Sequence, residues 1–207
     1  MNECALLCVH SAMMNLLLLS SALAAPKSSV AFSFDPHFAN LNAQDAALEG
    51  YGFAPVGGRF LPMYGVRGRL HHESGLVTGM VAEFGFGSQE ADGNPVPTTT
   101  SWTKLASVVG VEADSGLGAE LDIGFGSLTH TVGSAAQGGA LLYLGPYVHP
   151  RLRYSILTAP SFLEVSVGWL VHVPVSTPHQ QPLWEEPFSR GVIHGPSVAI
   201  TVGMGGA

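Results

Sequence analysis

Nine histidines are the residues of this chain that could bind a metal ion or transfer a proton. The densest group is His71-His72-Glu73, which lies between two apolar stretches. Adjacent side chains of a strand point to opposite faces, so His71 and His72 cannot readily share one ion. We therefore predict a solvated tight turn here, with no metal site and no cofactor.

A serine, a histidine and a carboxylate could form a hydrolase site if the three side chains came within hydrogen-bond reach. Glu164 and His172 share one face of a predicted strand but stand eight positions apart, which is about 26 Å of extended chain. His130 lies near Ser127 and Ser134 in a predicted long loop, without a recognisable motif. The sequence therefore predicts no catalytic residue, and a lipid-modifying enzyme is kept only as a second alternative.

The charged residues follow a regular pattern that needs no catalysis. In residues 117–127, Glu120 and Asp122 stand opposite Leu121 and Ile123, which is the period of a β-strand with one apolar and one charged face. The same alternation recurs from about residue 60 to the C-terminus. We predict one shared charged face, formed by Arg67, Arg69, Glu83, Lys104, Glu112, Glu120, Asp122, Glu164 and His172.

Composition indicates which face is turned outward. Charged residues make up 11% of the 207 residues, against roughly 25% in a soluble domain, and mean hydropathy is +0.30. A lipid-facing Arg or Lys at mid-depth costs roughly 2–4 kcal/mol, and the predicted apolar face carries none. We infer that the apolar face contacts lipid. The charged face then lines the interior, where acids and bases pair as a structural plug.

Strand-length segments separated by short and long links position these side chains. Seven strands are predicted, at 60–71, 75–87, 102–114, 117–127, 139–149, 161–173 and 193–205. An even number is expected, so residues 28–34 are the predicted eighth. The links are tight at 72–74 and 115–116, intermediate at 150–160, and long at 88–101, 128–138 and 174–192. Aromatic residues of the apolar face cluster near the long links, as in an interfacial girdle: Phe60, Tyr64, Phe84, Phe86, Phe125 and Trp169.

The N-terminal segment has the features of an export signal. Four leucines at 16–19 precede Ala22-Leu23-Ala24, which predicts a signal peptide over residues 1–24 and a single domain over 25–207. Both cysteines lie in the predicted signal, so no disulfide is expected. Asp35-Pro36 resembles a helix start, and a short helix is predicted at about 36–49.

Together these patterns predict an all-β fold: a closed antiparallel up-and-down transmembrane β-barrel of about eight strands, with one short N-terminal helix. The pattern resembles the small eight-stranded outer-membrane β-barrel proteins of Gram-negative bacteria. The resemblance implies an outer-membrane location and a structural or adhesive role, or less often a narrow pore or lipid-modifying activity. Eight strands leave an interior just wide enough for side chains, so a porin-like open pore is not expected.

The predicted function is a structural or surface-interaction role without catalysis. The predicted partners are membrane lipids and an extracellular partner at loops 88–101 and 174–192, where Trp184 is a candidate contact. A net charge of -7 without any basic run argues against nucleic acid. The first alternative is a soluble periplasmic, lipocalin-like barrel in which Leu121, Ile123 and Val167 face a small apolar ligand. The membrane hypothesis predicts that Leu121→Arg and Val167→Arg block assembly and that Glu120→Gln is mild.

Overall fold

A computed structural model of the chain describes residues 27–50, 60–91, 94–132, 139–158, 160–175 and 191–205. The predicted signal peptide and Trp184 lie outside these ranges. Among the described residues, no helix is long and apolar enough to cross a membrane.

The described chain is almost entirely strand. In order, the elements are β1 (Lys27–Phe34), β2 (His37–Phe38), α1 (Asn42–Gly50), β3 (Phe60–Leu61), β4 (Met63–His71), β5 (Leu76–Ala91), β6 (Asn94–Glu112), β7 (Leu117–Val132), β8 (Gly139–Thr158), β9 (Ser161–His172) and β10 (Ile193–Gly205). From β4 to β10 each strand pairs antiparallel with the next, and β1 pairs with both β4 and β10, which closes the sheet. The two-residue strands β2 and β3 continue β1 and β4 past short breaks, so the wall is an eight-stranded barrel.

Alternation along the strands separates an apolar exterior from a polar interior. Phe32 is 70% exposed, Leu152 is 60% exposed and Val167 is 51% exposed, although all three belong to regular strands. Leaving such side chains outside is favourable only where the surroundings are also apolar. The predicted closed transmembrane barrel is therefore confirmed. The expectation of the lipocalin-like alternative is wrong, because Ile123 and Val167 point outward.

Two tight turns join strands at the end of the barrel that also holds Lys27 and Gly205. Gly75 and Gly116 adopt positive φ angles of 78° and 81°, a region that glycine enters without steric cost. A Cβ at Gly75 would also lie 2.7 Å from the Glu112 carbonyl oxygen. These two turns fix the register of β4 with β5 and of β6 with β7. Short turns lie on the periplasmic side of bacterial barrels, so we call this end the periplasmic end.

Two predicted links are wrong because they lie within strands. Residues 88–91 and 94–101, predicted as loop, extend β5 and β6. The predicted link at 150–160 largely belongs to β8, which runs to Thr158. Proline suggested a strand end at Pro150 because it cannot donate a ladder hydrogen bond. Instead, the β8–β9 ladder skips His149 and Pro150 and resumes at Arg151 in the same register.

The predicted helix at 36–49 begins later than expected. Asp35 and Pro36 precede β2, and α1 starts only at Asn42. Asp35 does not cap a helix, because its buried carboxylate accepts a hydrogen bond from Arg151. Asn40 lies before the helix instead, and its Oδ1 accepts a hydrogen bond from the Asn42 backbone N–H at 3.1 Å.

Candidate functional site: the barrel interior and the outer rim

A layer of buried ion pairs crosses the middle of the barrel. We call it the ionic network, and its members are five cations and six carboxylates: Arg67, Arg69, Lys104, Arg151 and Arg153 with Asp35, Glu83, Glu112, Glu120, Asp122 and Glu164. All are buried except Glu112, which is partly exposed near the β6–β7 turn. The residues come from the β1–β2 break and from β4 to β9, so the network ties together strands far apart in sequence.

The arginines of β4 bind carboxylates across the barrel. Arg67 donates through Nη1 and Nη2 to the two Asp122 oxygens, each at 3.0 Å. Arg69 contacts Glu164 in the same two-pronged way, with both distances 2.8 Å. This fork geometry is among the stronger forms of charge-assisted hydrogen bond.

Glu120 on β7 connects these arginines to a third. Its Oε2 accepts a hydrogen bond from Arg67 Nη1 at 3.1 Å, and its Oε1 lies 2.8 Å from Arg69 Nε and 2.9 Å from Arg153 Nε. One carboxylate therefore compensates parts of three buried cations.

Sequence reasoning missed two cations of the ionic network. Arg151 and Arg153 lie on β8, in the stretch predicted as a link. Arg151 Nε donates to Asp122 Oδ2 at 3.0 Å, and Arg153 Nη2 donates to Glu112 at 2.6 Å. The alternation of residues 147–154 continues across Pro150 and could have revealed them. Without these two arginines the predicted interior had more carboxylates than cations. With them the numbers are nearly equal, at six and five.

The nine residues of the predicted charged face all point into the barrel or its periplasmic mouth, but they do not form one site. Eight take part in the ionic network. His172 lies apart, beside Trp102, with 5.7 Å between the ring centroids.

A catalytic site does not assemble around the buried Ser197 and His149. Ser197 Oγ lies 2.8 Å from His149 Nε2, and His149 Nδ1 lies 2.9 Å from Arg151 Nη2. A guanidinium can only donate, so Nδ1 must accept and the proton of a neutral ring must lie on Nε2. That Nε2–H donates to Ser197 and cannot remove its proton, which is the opposite of what a general base requires. His130, another candidate, is bound to Thr100 Oγ1 at 2.9 Å and lies in β7 rather than in a loop.

Three side chains of the kinds that bind metal ions lie close together in the described part of the barrel. Asp35, His37 and His149 place ligand atoms within 4.8 Å of one another. However, Lys104 Nζ lies 2.9 Å from His37 Nε2, and Arg151 bonds both Asp35 and His149. The Lys104 and Arg151 side chains thus occupy the directions in which a divalent cation would bind. The set therefore fits an ion-pair network better than a metal site.

The interior nearer the outer rim is filled by apolar and aromatic side chains. This outer core includes Leu61, Met63, Trp102, Leu128, Leu141, Tyr143, Leu170 and Ile193, together with Ala39 and Leu41 from the segment before α1. Gln44 of α1 donates to the Gly191 carbonyl at 3.2 Å. The segment leading into α1 therefore packs on the outer end of the barrel.

Exposed aromatic residues follow the exterior near the same end. All six predicted girdle residues are exposed, from 44% for Tyr64 to 64% for Phe125. Tyr64 also contacts its neighbours, with ring centroids 5.4 Å from Phe34 and 6.0 Å from Phe84. Such rings prefer the boundary between hydrocarbon and water.

Above this level four strands project beyond the others. Strands β5 to β8 continue to Ala91, Asn94, Val132 and Gly139, and remain paired there. Exposed hydroxyl side chains begin at the girdle level, where Thr103 and Ser101 pair with Phe84 and Phe86, and continue above it at Thr99 and Thr131. We call this part the projecting sheet. Its polar outer face indicates that it stands in water rather than in lipid.

Comparison with known proteins supports this architecture. No protein-family model matches the sequence, and no curated protein matches it. Among solved structures, the fold is similar to Ail, the attachment invasion locus protein of Yersinia pestis, with a TM-score of 0.57 and 8% identity over 88% of this chain and 100% of Ail. The chain has the fold of the small eight-stranded outer-membrane β-barrels.

Two further solved structures are similar to this barrel. A second structure of Ail gives a TM-score of 0.54 over the same shares of both chains. Neisserial surface protein A gives 0.49, with 7% identity over 86% of this chain and 95% of that one. The first Ail structure is a complex with the heparin analogue sucrose octasulfate, which describes Ail and not this chain.

Proposed function

We propose that this chain is an outer-membrane barrel that anchors a surface-exposed contact region, the projecting sheet and its neighbouring loops, and that it performs no catalysis. The observation that carries the proposal is the division of the outer surface. A lipid-compatible band of apolar side chains ends at an aromatic girdle, and a hydroxyl-rich sheet rises above it.

The apolar band and the girdle support the outer membrane as the location, because closed barrels with short periplasmic turns and longer outer strands are typical of that membrane. Export through a signal peptide at residues 1–24 is part of the same proposal. Membrane lipids are then the first partner, since they contact the exposed side chains of all eight strands.

The filled interior supports anchoring over transport. The ionic network occupies the middle of the barrel and the outer core occupies the space above it. Eight strands enclose little more than their own side chains, so this packing leaves no wide passage. We therefore assign partner binding to the outer surface, and we propose that the segments 88–101 and 174–192, with the candidate contact Trp184, take part in it.

The distribution of charge indicates the kind of partner. Of the eight Lys and Arg residues of the sequence, five belong to the ionic network and Lys27 begins β1 at the periplasmic end. The remaining two, Arg59 and Arg190, lie outside the described residues. A sulfated polyanion would need a dense basic surface. We therefore propose a partner recognised through hydroxyl and aromatic side chains.

Binding by whole cells tests the proposal. A Gram-negative host expressing the full chain should adhere to at least one member of a panel of extracellular matrix proteins and neutral glycans, compared with cells lacking the chain. Thr99→Glu together with Thr131→Glu should lower that adhesion about tenfold, because both exposed hydroxyls lie on the projecting sheet. Ser74→Glu, in an exposed periplasmic turn, is the matched control and should leave adhesion unchanged. Equal adhesion of both variants, or none by the parent chain, would refute the role.

A further inference from the structure

The barrel wall has its shortest strand pairings where the chain passes from β1 to α1. Residues 35–40, which we call the latch segment, fill the wall between β10 and β3. Outside β2 it makes three backbone bonds: the Asp35 N–H donates to the Met63 carbonyl at 2.8 Å, the Asn40 N–H donates to the His194 carbonyl at 2.7 Å, and the Pro36 carbonyl accepts from the Val198 N–H at 3.4 Å. One register pair, His37 with Ser197, joins β2 to β10, and two pairs join β2 to β3. The other strand pairs of the wall have longer ladders, so side chains contribute relatively more to holding this segment in place.

Two buried side chains fasten the latch segment to the opposite strands. Asp35 accepts a hydrogen bond from Arg151 on β8. His37 Nε2 lies 2.9 Å from Lys104 Nζ on β6, and Lys104 Nζ lies 2.6 Å from Glu83 Oε2. An ammonium group has only donors, so His37 must accept through Nε2 and can do so only as the neutral ring.

His149 is subject to the same constraint. Its Nδ1 accepts from Arg151 Nη2 at 2.9 Å, and its Nε2–H donates to Ser197 Oγ at 2.8 Å. Its ring centroid is 5.1 Å from that of His37. A second proton on either ring would have to sit on the nitrogen that faces Lys104 in His37 or Arg151 in His149.

The carboxylates around the two rings already face Arg and Lys side chains, so a further proton would add charge that nothing else there offsets. His37 faces Asp35 of its own segment, Lys104 of β6, Glu83 of β5, and Arg151 with His149 of β8, while β10 and β3 present the uncharged Ser197 and Leu61. With Arg67 and Asp122, and apart from Glu120, which Arg67 shares with the other half, this part of the network holds three cations and three acids. Apart from that shared carboxylate it is balanced when both histidines are neutral.

The periplasmic half of the network differs in this respect. Arg69 and Arg153 there meet three acids, Glu112, Glu120 and Glu164. His71 Nδ1 already lies 3.0 Å from Glu112 Oε2, so a carboxylate stands beside that ring. Acid conditions therefore strain the half of the network that holds the latch segment and not the other half.

We propose that the latch segment is an acid-released closure of the barrel wall. Protonated His37 would be repelled by Lys104 and attracted to Asp35 Oδ2, now 3.4 Å away, which draws Asp35 from Arg151. Protonated His149 would repel Arg151 directly. The latch segment then leaves β10 and β3, and it carries α1 with it, so the outer half of the barrel opens sideways. The proposal holds whatever partner the projecting sheet binds.

Distance measurement between two spin labels tests the opening. The labels are placed at Glu49→Cys on α1 and Thr103→Cys on β6, both exposed, in the full chain with Cys4→Ser and Cys8→Ser, reconstituted in phospholipid vesicles. A single distance is expected at about pH 7.5, and a second, longer distance in about half the molecules at about pH 4.5. The change should reverse on neutralisation. An unchanged distance at the two pH values would overturn the proposal.

Variants that keep the hydrogen bonds but cannot take up a proton identify the trigger. In His37→Gln the amide oxygen can accept from Lys104, and in His149→Asn it can accept from Arg151. The double variant should stay closed at both pH values. His130→Gln is the matched control, because His130 is buried but bonded to the neutral Thr100, and it should open as the parent does. Opening of the double variant to the parental extent would overturn the proposal. If the double variant does not fold, the pH comparison on the parent chain decides.

Discussion

Among single residues, Glu120 shows that the buried charges of this barrel depend on one another. From the sequence pattern it is one interior acid among several. In the structure it contacts Arg67, Arg69 and Arg153, and its side chain is fully shielded from water. Its importance comes from cations on two other strands, which a single strand's alternation cannot reveal.

Replacing Glu120 by Gln should therefore cost more than the mild effect that the sequence pattern suggests. Gln keeps the shape but leaves three guanidinium groups with less compensating charge, and removing one partner of a buried pair costs about 3–5 kcal/mol. Urea unfolding of the protein in detergent micelles measures the loss. Glu49→Gln, at an exposed position of α1, is the control and should change stability by less than about 0.5 kcal/mol. Equal effects of the two variants would contradict the network.

Glycine at a turn gives a second prediction at this scale. Gly75→Ala should destabilise the barrel by about 1 kcal/mol or more, because the residue has a positive φ and its Cβ would press on the Glu112 carbonyl. Gly68→Ala is the matched control, since a Cβ there would meet nothing within 4 Å. Thermal unfolding followed by circular dichroism compares them, and an equal shift in midpoint would show that the turn tolerates a side chain.

At the scale of strands, the sequence predicted most of the wall. Alternation through Glu120 and Asp122 identified β7, and the same period identified the inward faces of β4, β6 and β9. It could not predict that β8 continues through Pro150. Proline disfavours a strand interior, but the pairing of β8 with β7 runs unbroken through Pro150 and keeps the strand extended. The sequence also could not place Asp35. Its carboxylate could equally cap a helix or bind an arginine, and Arg151 comes near it only once the barrel has closed.

The apolar outward face of the strands gives a prediction about membrane assembly. Val167→Arg or Leu121→Arg should reduce the folded fraction severely, because a cation at mid-depth costs roughly 2–4 kcal/mol in lipid. Thr99→Arg introduces the same side chain on the projecting sheet, above the girdle, and should assemble normally. Heat-modifiable mobility of the protein after refolding into phospholipid vesicles measures the folded fraction. Normal assembly of the Val167 variant would mean that this face does not contact hydrocarbon.

At the scale of the whole molecule, closure and charge pairing depend on each other. The barrel brings acids and bases from distant strands into one layer, and in a membrane each backbone group can be satisfied only if the wall closes. The sequence predicted this closed form from composition and period alone. It could not predict which cation meets which acid, because pairing depends on the stagger between strands that only the folded barrel defines.

The filled interior leads to a final prediction about conduction. In planar lipid bilayers near neutral pH the parent protein should show no steady ion current, because the ionic network and the outer core occupy the lumen. Replacing Arg151 and Arg153 together by Ala removes two bulky side chains and leaves Asp35, Asp122 and Glu112 undercompensated, which should admit water and cations. Small cation-selective currents are therefore expected from the double variant if it folds, as checked by its heat-modifiable mobility. A steady current through the parent protein would show that the network does not seal the barrel, and the filled interior would then no longer support anchoring over transport.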